Sequence, residues 1–227
     1  MNIVVVGGGT VGKFGNDFVK KARSEGHRVI NLSHIDHQTG HADDREINYK
    51  NLDINKPVLA QVANDLGDID IILFNQNGPC YPDTIEHLFG YPNLYNYHET
   101  MMSKVIMPHL IISLLYNNLK EGSKVVYLSS SMAFEYERQH YQAGAGYPGA
   151  KSFGAHLILS MARTRTKNVT FSIVCPFFIY NDPDQYSQAL ENIYKYVFVH
   201  DDTYNGKFVA QLKSWNTIPE EFSVKYG

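Results

Sequence analysis

Two hydrophobic periods alternate along this chain. Unbroken apolar runs predict buried strands, and apolar positions recurring every three or four residues predict helices. Ile3 to Val6 is a short β-branched run that stops at three glycines, the pattern of a parallel strand buried on both faces. From Val11 to about Glu25 the apolar residues Val11, Phe14, Phe18, Val19 and Ala22 keep helical spacing until Gly26 ends the helix. Arg28 to Leu32 predicts a second strand, Ile47 to Leu52 a third, and Pro57 to Leu66 a helix with proline near its first turn. Ile69 to Phe74 is an apolar strand that ends in Asn75-Gln76-Asn77-Gly78. A long helix is expected over Met101 to Asn118, bent at Pro108. Lys124 to Leu128 is the next strand and runs into Ser129-Ser130-Ser131. A helix follows from Gly149 to about Arg163, then a strand from Thr170 to Val174 closed by Pro176, and a last strand over Lys207 to Ala210. Strands separated by helices, with right-handed crossovers, make a mostly parallel sheet covered on both faces. The fold class is therefore α/β and doubly wound.

A length of 227 residues suits one domain over 1–227. Residues 177–205, rich in aromatics, Asp and Asn, follow the sixth strand as a short helical excursion. They fall on the carboxyl edge, where ligands bind, so a substrate loop and plain packing are equal readings. Hydrophobic residues at 44% and charged residues at 19% exclude a disordered chain and a coiled coil. A formal net charge of −3 gives no basic surplus for nucleic acid or an anionic membrane. No apolar run approaches the ~20 residues of a bilayer helix. The first residues carry no basic flank or cleavage site, and Cys80 and Cys175 read as buried thiols, so the expected location is the cytoplasm. His34, His37 and His41 lie among acids, but Thr39-Gly40 between them argues for a solvated loop, and no metal is expected.

Gly7-Gly8-Gly9-Thr10-Val11-Gly12 fits the G-x-G-x-x-G pattern between a strand and a helix. Gly7, Gly9 and Gly12 let the backbone approach a pyrophosphate, while N–H groups at the helix start face the anion. No Gly-Lys-Ser/Thr follows, which excludes a phosphate loop of the nucleotide-hydrolase kind. Asn31-Leu32-Ser33-His34 ends the second strand without a carboxylate to claim the adenosine ribose. Nothing there repels a 2′-phosphate, so NADP(H) is favoured over NAD(H), with Ser33, His34 and Lys13 left to meet the phosphate.

Tyr147 and Lys151 stand four apart, on one face if they open a helix. The spacing alone means little, because a second pair, Tyr116 and Lys120, has it too. Context separates the two. Tyr147 follows a strand that ends in serines, and Lys151 begins an apolar helix.

In this order of parts the chain resembles the short-chain dehydrogenase/reductases, Rossmann-type enzymes, from the glycine loop to Pro176. Leu52-Asp53-Ile54 resembles the family's adenine-contacting turn, with Asp53 as its acid. Asn75-Gln76-Asn77-Gly78 resembles the stretch after strand four, and Asn75 joins the cofactor-binding set. Ser130 matches the catalytic serine, and Tyr147 and Lys151 match the Tyr-x-x-x-Lys pair. The resemblance implies hydride transfer between a nicotinamide cofactor and a small carbonyl or alcohol. Tyr147 would move the proton, Ser130 would polarise the carbonyl, and Lys151 would hold the ribose and lower the tyrosine's pKa from its ordinary ~10. It also implies a homodimer or homotetramer built through the long helices. Phe14 replaces the family's third glycine, Lys104 its helix asparagine, and Phe177 the glycine after Pro176. These departures keep open a second reading, a dinucleotide-binding regulator or redox sensor that performs no turnover.

Overall fold

In the computed structural model, which describes residues 1–9, 13–34, 38–76, 97–130, 146–176, 183–198 and 204–211, the strands are laid down in sequence order. They are β1 (Asn2–Val6), β2 (Arg28–Ser33), β3 (Asp44–Glu46), β4 (Ile69–Phe74), β5 (Leu119–Leu128), β6 (Thr170–Pro176) and β7 (Lys207–Gln211). The helices are α1 (Lys13–Ser24), α2 (Leu52–Leu66), α3 (Met107–Leu115), α4 (Gly146–Thr164) and α5 (Pro183–Phe198). The strands form one seven-stranded sheet in the order β3-β2-β1-β4-β5-β6-β7, and every pairing is parallel. The order reverses between β1 and β4, which opens a crevice at their carboxyl ends. Among the described residues no helix is long and apolar enough to cross a membrane.

Alternation along each strand divides the core in two. Val4, Val6, Ile72, Phe74, Val125 and Tyr127 point to the face covered by α2, α3 and α4. Ile3, Val5, Ile71, Leu73, Val126 and Leu128 point to the face covered by α1 and α5. Strands buried on both faces need apolar residues at every position, which is why they read as continuous runs in the sequence. Helix α1 ends as expected. Gly26, at φ +82°, lets its own N–H reach Arg23 O at 3.0 Å and the His27 N–H reach Ala22 O at 3.1 Å. Helix α5 is clamped to α1 by Tyr186, whose hydroxyl donates to Asp17 at 2.8 Å, and by Tyr194, whose hydroxyl donates to Glu25 at 2.7 Å. In the aromatic stretch, Tyr186, Tyr194 and Tyr196 are buried in the core.

Several boundaries differ from the sequence reading, among them the start of β5, at Leu119 rather than Lys124. The third strand is Asp44–Glu46, earlier than Ile47 to Leu52. Past Ile47 the Asn48 side chain takes over, its Oδ1 accepting from Lys50 N at 2.8 Å and Asn51 N at 3.1 Å, and the chain turns. Asn51 then caps α2 by accepting from Asp53 N, so the helix begins at Leu52 and carries Pro57 inside it. Helix α4 starts three residues before Gly149, with Tyr147 and Pro148 in its first turn, where a missing proline N–H costs nothing.

Pro108 produces more than a bend. Residues 97–118 are helical, but Met102–Ile106 forms a π turn immediately before α3. Proline has no N–H to offer the carbonyl four residues earlier, that of Lys104. The hydroxyl of Tyr127 on β5 donates to that carbonyl instead, at 2.9 Å, and is buried in doing so. Gly154 on α4 makes the approach possible: a Cβ there would lie 2.5 Å from Tyr127 Oη and 2.7 Å from Lys104 O.

Two predictions follow from this packing. Gly154→Ala should lower stability by about 1–3 kcal/mol, read as a drop in Tm, because Tyr127 and backbone block its methyl. Gly149→Ala, whose Cβ would meet nothing within 4 Å, should be neutral or slightly stabilising. The second prediction concerns Asp44, which accepts from Thr39 N at 2.7 Å, from Thr39 Oγ1 at 2.6 Å and from Arg23 at 3.0 Å. Burial pushes its carboxyl up, but the Thr39 and Arg23 hydrogen bonds outweigh this and hold it below its usual value. The resulting stability is present above the ordinary carboxylate pKa and is lost as pH falls through the lower folded value. Asp44→Asn should therefore cost about 2 kcal/mol at neutral pH. In denaturant melts at falling pH the gap between parent and variant should close in acid.

Candidate functional site

The crevice at the carboxyl edge is built from backbone first. Gly7 leaves β1 at φ +88°, and its N–H donates to Leu32 O at 2.8 Å. Asn75, at the end of β4, donates its side-chain amide to Gly7 O at 3.0 Å and its N–H to Val6 O at 2.8 Å. Asn31, wholly buried within β2, accepts from Gly8 N at 3.1 Å. Two asparagines thus hold the glycine loop from the strands on either side. A Cβ on Gly7 would lie 2.8 Å from Asn75 O, and one on Gly8 would lie 2.6 Å from Asn31 Oδ1. Gly15 completes the loop from α1, since a Cβ there would collide with Asn75 Nδ2 and Gly7 O. The close helix–strand contact that the motif assigns to a third glycine is made here by Gly15, while Phe14 is buried in the core. Gly9 is buried beside Gly7 and Gly8, and Gly12 lies outside the described residues.

Ser33 ends β2 with its side chain buried, and its hydroxyl has no hydrogen-bond partner among the described residues. Lys13 is engaged on α1, paired with Asp17 at 3.1 Å and 3.5 Å above the ring of Tyr186. Asp53 belongs to the first turn of α2 rather than to a strand end. Its carboxylate is exposed and takes the Lys56 ammonium at 2.8 Å.

The second half of the site comes from β5 and α4. Ser130 is the second residue after β5 and is partly exposed. Its neighbour Ser129 donates to the carbonyl of Lys151 at 3.4 Å, tying the strand end to the helix. Tyr147 is half-buried in the first turn of α4, and Lys151 follows one turn later. Lys151 is wholly buried, and its Nζ donates to Leu128 O at 2.7 Å and Gln76 O at 3.1 Å. The same Nζ lies 5.9 Å from the centre of the Tyr147 ring. Burial, and then the neighbouring charge of Lys104, push the Lys151 pKa down to about 7. Lys104 Nζ is nearer to that ring, at 5.0 Å. Tyr147 and Lys151 are therefore brought together beneath the strand end that carries Ser130, with Lys104 as a third member.

Tyr116 and Lys120 have a different fate. Tyr116 lies in a 3₁₀ turn, its hydroxyl accepting from Thr166 N at 2.9 Å and Lys167 N at 3.2 Å. Lys120 is on β5 and pairs with Asp70. Their spacing spans a turn and a strand, so no helical face joins them. The sequence reading did not single out Asn31, whereas Gly15 was the glycine that a shifted register would let take the packing role it has here. The one available signal was an asparagine inside an otherwise apolar strand, which must find buried partners.

No family model matches the sequence, and no curated protein matches it. Solved structures do match over nearly the whole chain. One is an oxidoreductase of the short-chain dehydrogenase/reductase family from Brucella ovis, in complex with a partially ordered NAD. It has 18% identity and a TM-score of 0.74, with 93% of this chain and 99% of that chain covered. Thermoplasma acidophilum aldohexose dehydrogenase, in ligand-free form, has 16% identity and a TM-score of 0.71, with 92% and 91% covered. A Serratia marcescens short-chain dehydrogenase/reductase mutant has 20% identity and a TM-score of 0.70, with 92% and 95% covered. With a parallel seven-stranded sheet, a glycine loop after its first strand and a tyrosine and lysine on the helix after its fifth, this chain has the fold of the short-chain dehydrogenase/reductases.

Proposed function

We propose that this chain is a short-chain dehydrogenase/reductase, an NAD(P)(H)-dependent oxidoreductase that interconverts a small carbonyl compound and its alcohol. The observation that carries this reading is Tyr147 at the crevice with the buried Nζ of Lys151 5.9 Å from its ring centre. The residues present fit a dinucleotide. Gly7, Gly8 and Gly9 keep the loop free of side chains, with Gly12 in the same role, and the N-terminal end of α1 offers N–H groups to a pyrophosphate. An ammonium has three donors, and two of those on Lys151 already go to carbonyls, which leaves one for a ribose hydroxyl. The nicotinamide, when bound, supplies or accepts the hydride.

The protein's own groups handle the proton. Hydride arrival places negative charge on the substrate oxygen. Tyr147 holds the proton that this oxygen receives, and the Ser130 hydroxyl donates a hydrogen bond to it. Positive charge behind the Tyr147 ring stabilises the phenolate that remains, and in alcohol oxidation that phenolate is the base. Ser33 supports NADP(H) over NAD(H), because its buried hydroxyl lies unclaimed at the end of β2, where a carboxylate would select the unphosphorylated ribose. Asn75 contributes by fixing the loop, and Asp53, exposed at the start of α2, is assigned to the adenine side. Ile106, Leu114 and Phe153, large apolar side chains exposed on the π turn, α3 and α4, support a homodimer or homotetramer. We place the protein in the cytoplasm.

Tyr147→Phe keeps the ring and removes the transferable proton. Turnover in a carbonyl-reduction assay followed by nicotinamide absorbance should fall by about 10² or more. Cofactor affinity, read by fluorescence titration, should stay near the parent's. Full activity in the variant would end the assignment, and a parent that binds cofactor but reduces no carbonyl would favour the sensor reading. In the same titration the parent should bind NADPH more tightly than NADH. Ser33→Asp should reverse that order, because the new carboxylate repels a 2′-phosphate and accepts from a ribose diol. A parent preferring NADH tenfold would overturn the NADP(H) assignment.

A further inference from the structure

Lysine is among the residues least often buried, yet Lys104 is 0% exposed, beside a second buried lysine. Its position follows from the chain around it. Pro108 has no N–H to offer the Lys104 carbonyl, the chain before α3 forms a π turn, and Tyr127 fastens that carbonyl to β5. With its backbone fixed there, the side chain reaches the face of Tyr147 and stops 5.0 Å from the ring centre. Lys151 stands 5.9 Å from the same centre. Both distances are within the range at which a cation is attracted to an aromatic face. The attraction is greater for a phenolate, whose negative charge spreads into the ring, than for a neutral phenol.

We propose that Lys104 is a positioning residue for the chemistry of Tyr147, a second buried ammonium that stabilises the phenolate and so shares a duty the Tyr-x-x-x-Lys pattern gives to one lysine. The inference rests on the reading of Tyr147 as the proton-transferring group. The ionisable groups facing one another here come from the π turn (Lys104), β5 (Tyr127), α4 (Tyr147 and Lys151) and β6 (Cys175). Tyr127 is no competitor for the charge, because burial pushes its phenol well above the ordinary value and its proton is committed to Lys104 O. Lys151 is pushed down to about 7 by burial and then by Lys104, with Cys175 acting the other way. Above that pH Lys151 no longer supplies a full charge of its own. A pair in which one lysine disfavours the charge of the other keeps positive charge behind the ring while its two members titrate apart.

The test reads Tyr147 directly. Full-length protein carrying tyrosine labelled with carbon-13 at Cζ is titrated by NMR, and the Tyr147 signal is identified by its loss in Tyr147→Phe. Lys104→Met keeps length without charge, and Lys104→Gln keeps a hydrogen-bonding group without charge. In both variants the Tyr147 midpoint should rise by about one pH unit or more, a tenfold change in its proton equilibrium. The acidic limb of the pH–rate profile for alcohol oxidation, in which the phenolate is the base, should move up with it, while cofactor affinity stays near the parent's. An unmoved Tyr147 midpoint in either variant, once folded by circular dichroism, overturns the proposal, because hydrogen bonding or packing would then suffice. The NMR readout needs no turnover. A parent without oxidoreductase activity would sink the proposed function and leave this measurement standing.

Discussion

The hydroxyl of Tyr127 sits where three layers of the molecule meet, and its hydrogen bond to the carbonyl of Lys104 holds them in register. It joins strand β5 to the π turn before α3, and both are pressed against α4 at Gly154. Each member of this junction implies the others. Proline at 108 withdraws a donor, the tyrosine replaces it, and only glycine at 154 leaves room for the helix that carries Tyr147 and Lys151. A buried carbonyl without a donor would cost about 1–3 kcal/mol. The junction is thus a constraint on the fold and on the site together, since it fixes how far Tyr147 and Lys151 stand from β5.

The glycine loop obeys the same logic at the other half of the crevice. A parallel sheet covered on both faces exposes its strand ends only at its edges, so whatever binds must approach backbone there. Asn31 and Asn75 satisfy that backbone from the strands on either side, and Gly15 lets α1 come close enough to seal it. Positive charge is concentrated under the other half, where Lys104 and Lys151 lie buried behind one half-exposed tyrosine. One half of the crevice is shaped for close approach to backbone, and the other holds two buried lysines behind a tyrosine.

The parts of this arrangement that the sequence made legible were those written in apolar runs and in motif order. Strands β1, β2, β4 and β6 and the second half of β5 are mostly β-branched or apolar, as burial on both faces demands, with Asn31, Asp70 and Ser172 as polar exceptions. Strand β3 is Asp-Arg-Glu at the edge of the sheet, polar throughout, so no hydrophobic pattern marks it. The start of α2 was missed because Pro57 resembles a first-turn proline, whereas the capping chemistry of Asn48 and Asn51 sets the boundary earlier. Context in the sequence picked out Tyr147 and Lys151, whose ring centre and Nζ the fold brings within 5.9 Å of one another, and Ser130 was proposed from its place after a strand. Lys104 was noticed only as a departure from the family pattern. Its burial depends on Pro108 and on Tyr127, residues four and twenty-three positions away, and no local window contains that relation.

The clamp of α5 onto α1 bears on how the chain acquires its shape during synthesis. Tyr186 and Tyr194 bond to Asp17 and Glu25 across 169 residues of sequence in each case, and the ring of Phe18 stacks 6.2 Å from Phe198. The glycine loop and α1 leave the ribosome well before α5, and until Phe198 has emerged the rings of α1 have only the sheet to cover them. Until then Phe14 and Phe18 belong to an amphipathic helix that is covered on one side only, which is the kind of surface chaperones hold. The glycine loop is thus made long before the helix that clamps α1, so a nascent chain cut short before α5 would carry every loop glycine and still lack the clamp on the helix that follows them.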